Sequence, residues 1–380
     1  MGGFQFNSRL KSHQTLADQF WKKESYSTVA EFISRYPSDL ESNWSGDCQG
    51  LTHSETHWFV STAREARRLA ADKPARIWKV NLGRDLNKDF ETRTSTEVPE
   101  PFKSLKYDHF GDIDYFEGKI FAPLERSGDS PIDTFLLIFD ATDLRFIGSA
   151  PFSQQAAHNS MCQAPWCAVN PKDKLLYSSL FEANELIVYR VEIKINAVKL
   201  TFLRSQPLLD HNGMPLHIKK IQGGAFSTTS GLFYMSNNSD ENPGISVFDT
   251  LTWKRTGHVN VDFDQGGVAQ EEIEGLTLWD LSHGQDRTLS GQIHLVILNN
   301  NLIADDQVSI VHFSESAERQ APVVSPRSPS CAALSNTRKS LIRARDKAED
   351  MNERKMLNVR LGRNSAQMHL LGCPMADDEG

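Results

Sequence analysis

No apolar run in this sequence approaches the ~18 residues of a membrane-spanning helix. Met1 to Leu10 lacks the apolar core of a secretory signal, and Phe6 stands where a myristoylation motif carries Ser or Thr. These absences predict a cytoplasmic protein with no membrane partner. Excess positive charge is also missing. The chain has 41 Lys and Arg against 49 Asp and Glu, a net charge of -8, which argues against a nucleic-acid partner. Cysteine is sparse, at five irregularly spaced residues, so reduced thiols are expected rather than a disulfide framework. Cys162 and Cys167 have no second pair to complete a zinc site, and Cys167 reads as a small core residue. No nucleophile elbow, phosphate-cradling loop or dinucleotide fingerprint occurs, and no helix pattern follows Gln222-Gly223-Gly224. Aromatic residues stop at Phe313. Residues 314–380 are dense in charge, which predicts a disordered tail carrying one solvated helix over 337–361.

What is present is a repeat. Five segments open a strand in a similar way: Cys48-Gln49-Gly50-Leu51-Thr52, Phe110-Gly111-Asp112-Ile113-Asp114, Pro165-Trp166-Cys167-Ala168-Val169, Gln222-Gly223-Gly224-Ala225-Phe226 and Ile273-Glu274-Gly275-Leu276-Thr277. They recur every 50 to 60 residues or so, the spacing of one four-stranded propeller blade. The pattern predicts an all-β propeller over 44–313, with five blades, or six as the alternative count. Residues 1–43 are read as an N-terminal extension and 314–380 as the tail. Glu117-Gly118 and Asn170-Pro171-Lys172-Asp173 mark turns between strands. Phe135-Leu136-Leu137-Ile138-Phe139 alternates weakly, as a strand buried on both faces does. The fifth blade shows only three strands, so a partner strand from the N-terminus is expected, at residues 3–7. Val29, Phe32 and Ile33 predict a short helix over 27–36. Residues 63–73, rich in Ala and Arg, read as a helix-like insertion.

The innermost strand of each blade lines the central channel, so the opening residues should gather at its mouth. Gln49, Trp166 and Gln222 are the expected ligand-binding residues. Glu274 and Asp112 are the expected metal ligands, because two carboxylates beside two amides suit a hard cation. Glu271 and Glu272 read as solvated loop charges. His109 is the candidate general base, although a histidine in this position more often serves structure. Trp44, Trp58, Trp166 and Trp279 read as packing between blades.

The five openings resemble those of β-propeller proteins. Ile273-Glu274-Gly275-Leu276 is similar to an opening of the five-bladed calcium-dependent nucleotidases, the apyrases. The Glu-Gly-Leu opening is also similar to that of phytase-like esterase propellers and six-bladed lactonase relatives. The resemblance to apyrases implies one Ca2+ in the channel, held by Ser and Glu at blade entrances. Glu274 matches that pattern; Gln49, Gly111, Trp166 and Gly223 depart from it. The expected function is a binding or scaffold module taking a small molecule or a protein at the channel mouth. The alternative is a metal-dependent hydrolase of phosphoesters, esters or lactones.

Overall fold

The computed structural model describes residues 30–36, 47–64, 73–82, 93–126, 134–152, 163–195, 197–239, 243–261, 271–280, 289–299, 307–316 and 342. The strands among them form five antiparallel sheets, met in chain order, within the compact unit Met1–Arg319, and position 342 belongs to a second unit, Gln320–Gly380. The first blade is β2 (Cys48–His53), β3 (His57–Thr62), β4 (Arg76–Asn81) and β5 (Thr94–Glu97). The second holds β6 (His109–Phe110), β7 (Asp114–Phe116), β8 (Lys119–Glu125), β9 (Phe135–Asp140) and β10 (Phe146–Pro151). The third runs β11 (Ala168–Val169), β12 (Leu176–Ser178), β13 (Glu185–Lys194) and β14 (Ala197–Pro207). The fourth is β15 (Ile221–Phe226), β16 (Leu232–Asn237), β17 (Gly244–Asp249) and β18 (Arg255–Asn260). The fifth takes β19 (Glu271–Asp280), β20 (Leu289–Asn299) and β21 (Gln307–Ser316), and receives β1 (Ala30–Tyr36) as its outer strand.

The period-2 alternation of each strand builds the ring. Along β9, Leu137 and Phe139 face the first blade while Leu136 and Ile138 face the third. Along β20, Ile293, Leu295 and Ile297 face the fourth blade while Val296 and Leu298 face the first. Every blade therefore feeds two cores, and the five apolar clusters are the five interfaces between neighbouring blades. The cluster joining fifth blade to first makes the ring closed, with five blades and not six. Trp166 and Tyr177 lie in these interfaces, as does Cys167, which is buried, as Cys48 is.

Two N-terminal expectations need correction or setting aside. The helix over 27–36 is instead β1, antiparallel to β21 with Ala30 opposite Glu315 and Tyr36 opposite Ile310. Covering the open edge of β21 decides the conformation, because an unpaired outer strand leaves its backbone donors and acceptors exposed. Residues 3–7, the insertion core at 65–72, and the tail beyond Ser316, apart from position 342, lie outside the described residues. Among the described residues no helix is long and apolar enough to cross a membrane.

Candidate functional site

The blade openings converge on the axis, and irregularities in the inner strands aim their side chains. In β2 the register slips between Cys48 and Gly50, in β15 between Ile221 and Gly223, and in β19 between Ile273 and Leu276. The residues displaced by these bulges are Gln49, Gln222 and Glu274. The second blade departs further. Pro123 of β8 has no N–H to give the inner strand, and Gly111–Ile113 peel away between β6 and β7. Gly111 still donates its N–H to Pro123 O at 3.1 Å, while Asp112 turns to the third blade, donating to Pro165 O at 2.8 Å.

That turn drives Asp112 into the hub. Its Oδ1 accepts the Leu51 N–H at 3.2 Å, and its Oδ2 accepts those of Gly224 at 3.3 Å and Leu276 at 3.2 Å. One carboxyl thus ties the inner strands of the first, fourth and fifth blades. The glycines at the equivalent place in those blades make room for it. A Cβ on Gly275 would lie 2.1 Å from Asp112 Oδ1, one on Gly50 2.7 Å from the same oxygen, and one on Gly223 2.6 Å from Oδ2. Burial pushes the Asp112 carboxyl well above the usual carboxylate range, against the pull of its three backbone donors.

Above the plug opens a cavity of about 460 Å³. Its lining carries four carboxylates, from Asp47, Glu125, Glu272 and Glu274, and no Lys or Arg. Gln49 donates to Asp47 Oδ1 at 2.5 Å and accepts from His109 Nε2 at 3.0 Å. Gln222 donates to Glu274 Oε1 at 3.3 Å. Glu125 accepts the Ala164 N–H. Phe181 and Pro165 supply an apolar wall.

Glu274 is the deepest charged group of the mouth, 1% exposed. Its Oε2 has no hydrogen-bond partner. Burial first, then the neighbouring Glu272 and Asp47 carboxylates, push its pKa well above the usual range. Glu125 is raised as well, by burial, although His109 opposite it pulls the other way. This cavity can receive hydrogen-bond donors and positive charge, and Gln49 and Gln222 each already direct an N–H onto one of its acids.

Of the residues the sequence nominates, the structure gathers Gln49, His109, Gln222 and Glu274 around one cavity. It separates two others. Trp166 is fully buried between the third and fourth blades, its indole N–H donating to Ser179 Oγ at 2.8 Å. Asp112 sits at the hub, with both oxygens engaged by backbone N–H groups. Asp47, Glu125, Gln163 and Phe181 also line the cavity and were not singled out. Glu272, read as a solvated loop charge, instead lies in β19 and lines the cavity, because the inner strand extends to the mouth. Glu125 had a usable signal: it pairs with His109 across the β6–β8 ladder. Asp47 and Phe181 precede or follow strands in loops, where periodicity carries no information.

A channel calcium would take six to eight oxygen ligands. Among the described residues no three His, Cys, Asp or Glu side chains converge as the ligands of one ion. The donor set therefore does not fit a calcium cage built on Glu274 and Asp112.

No protein-family model matches the chain, and no curated protein matches it in sequence. Solved structures do resemble it. A calcium-binding regucalcin from Agrobacterium tumefaciens aligns over 77% of this chain and 97% of its own, at 9% identity and a TM-score of 0.45. A glycoside hydrolase aligns over 70% of this chain and 60% of its own, at 12% identity and a TM-score of 0.44. A luciferin-regenerating enzyme covers 70% of this chain and 76% of its own, at 12% identity and a TM-score of 0.39. The chain is a five-bladed β-propeller, and these likenesses concern architecture alone.

Proposed function

We propose that this propeller is a binding module and that the channel mouth around Glu274 holds its ligand. The observation that carries this reading is Glu274, a buried carboxyl in the lining of a ligand-sized cavity with one oxygen, Oε2, lacking a partner. A buried polar atom left in that state costs free energy unless something arrives to satisfy it. Cavities of this size, with a few convergent polar groups at a fold's axis, are where small ligands settle.

One arrangement favours the hydrolase alternative. Glu125 and Glu274, both with raised pKa values, line one cavity with His109 between the strands that carry them. A protonated and an ionised carboxyl in one site can act as general acid and base.

Both readings are tested together. A mixed library of small molecules, CaCl2 included, is screened by thermal shift, since a ligand bound only by the folded state raises the melting temperature. Hits are repeated on Gln222→Trp, which fills the mouth. Hits that lose their shift in that variant support the binding module; hits that all keep it place the ligand elsewhere and overturn the reading. Release of product from phosphate esters or lactones, abolished by Glu274→Gln, replaces the binding module with the hydrolase.

A further inference from the structure

Resting on that reading of the mouth as the ligand site, we infer that its ligand is an organic cation, a primary ammonium or guanidinium group on a short apolar stem. Four features point there together. The carboxylates of Asp47, Glu125, Glu272 and Glu274 face the cavity with no Lys or Arg among the lining to neutralise them. Two of the three lining amides, Gln49 and Gln222, each turn an N–H onto one of these acids, and acceptors outnumber donors in the cavity. Glu274 is buried with its Oε2 unpartnered, and among the neighbouring acids Glu272 acts on it most strongly. A group with several N–H donors and a positive charge satisfies both acids at once.

The choice of an organic cation over a bare metal ion follows from shape. No three acids or histidines among the described residues converge as an ion's ligands, and about 460 Å³ is far more than one ion fills. The wall formed by Phe181 and Pro165 is wasted on an ion but matches an alkyl stem, and the Phe181 ring can face the cation. An anionic ligand would meet four acids and no Lys or Arg to pair with. A neutral alcohol would bring a single donor to a site with many acceptors.

The same head group could come from a free amine or from a Lys or Arg side chain, and the probes separate the two. Titration calorimetry and thermal shift are run with 1-butylammonium, agmatine and an acetylated, amidated Gly-Lys-Gly peptide. 1-Butanol, butanoate and CaCl2 serve as controls. The expected result is saturable binding of at least one cationic probe. Butanol, butanoate and calcium are expected to give none, and Glu274→Gln to weaken binding at least ten-fold. Agmatine or butylammonium binding without the peptide assigns a free amine, and tighter binding of the peptide assigns a side chain. Glu274→Gln keeps side-chain volume and removes a carboxyl that burial disfavours in its ionised form, so it is expected to melt no lower than the parent. Should it fail to fold, Phe181→Ala and Glu272→Gln must each weaken the same probe.

If no cationic probe binds, or if binding is indifferent to all three substitutions, the inference fails. Calcium binding that depends on Glu274 while amines do nothing also overturns it. The mouth reading survives either result if library hits are still lost in Gln222→Trp, and falls with it if none are.

Discussion

At the scale of single residues, the strongest commitments are at the hub. Asp112 receives three backbone N–H groups on two oxygens, and asparagine would offer one acceptor oxygen and turn an NH2 toward a donor. Asp112→Asn is therefore expected to lose about 2 kcal/mol of stability, read by urea unfolding; a loss within error would mean the three bonds matter little. Gly275→Ala is the complementary change. Its Cβ would fall 2.1 Å from Asp112 Oδ1 and 2.7 Å from the Gly50 Cα, and neither neighbour has room to retreat. A loss of about 3 kcal/mol is expected, with the same substitution at Gly118, where a Cβ meets nothing within 4 Å, costing less. Gly118 has its own φ of +77°, so the comparison separates backbone strain from crowding.

At the scale of elements, the junction of fifth and first blades is the least conventional. It stacks His53 on Trp279 at 4.6 Å, and sets Trp58 edge-on to His294 at 4.9 Å and His294 to His312 at 4.5 Å. Burial lowers the pKa of all three histidines, His312 to about 4 from its ordinary 6.5. A histidine held below its ordinary value stabilises the fold fully above that value, and the contribution is lost as pH falls toward the lowered one. Between about pH 6.5 and 4 these strands should loosen first. His294→Phe keeps the ring and removes the buried Nδ1 that lacks a partner. It is expected to match the parent at pH 8 and to exceed it by about 1 to 2 kcal/mol at pH 5, measured by thermal melts at both. A parallel shift at the two pH values would show that titration there is irrelevant.

At the scale of the whole molecule, two sets of buried groups oppose each other. Asp112, Asp114, Glu125 and Glu274 are all raised, Asp114 to about 7 from 3.8, with burial as the leading cause. A raised carboxyl stabilises fully below its ordinary value, and that contribution is lost as pH rises through the raised one. For Asp114 the window is about pH 4 to 7, the reverse of the histidine slope. The two slopes share one window and offset each other within it, so Asp114→Asn, which removes the carboxyl's share, should make stability rise more steeply with pH between about 4 and 7. Denaturation midpoints taken stepwise from pH 4 to 8 decide it; an unchanged profile would remove Asp114 from the account.

Much of this architecture was legible in the sequence because inner and second strands carry period-2 patterns and turn residues that need no distant partner. Glu117-Gly118, both at positive φ, was readable for that reason. Three things were not. The Val29, Phe32 and Ile33 spacing imitates a helix, and only the distant β21 edge makes Ala30–Tyr36 a strand. Asp112 looked like an axial ligand because its fate depends on glycines contributed by three other blades. Trp166 shares its opening position with Gln49 and Gln222, but no bulge frees it toward the mouth, and the gap beside Gly224 accepts its ring.

The buried Asp112 knot has a further consequence for traffic. With the shaft blocked at that level, the pocket around Glu274 is a cul-de-sac. Whatever enters must leave by the door it came through, so a bulky protein seated over that rim would imprison a small guest, and release would keep pace with the cover's own departure.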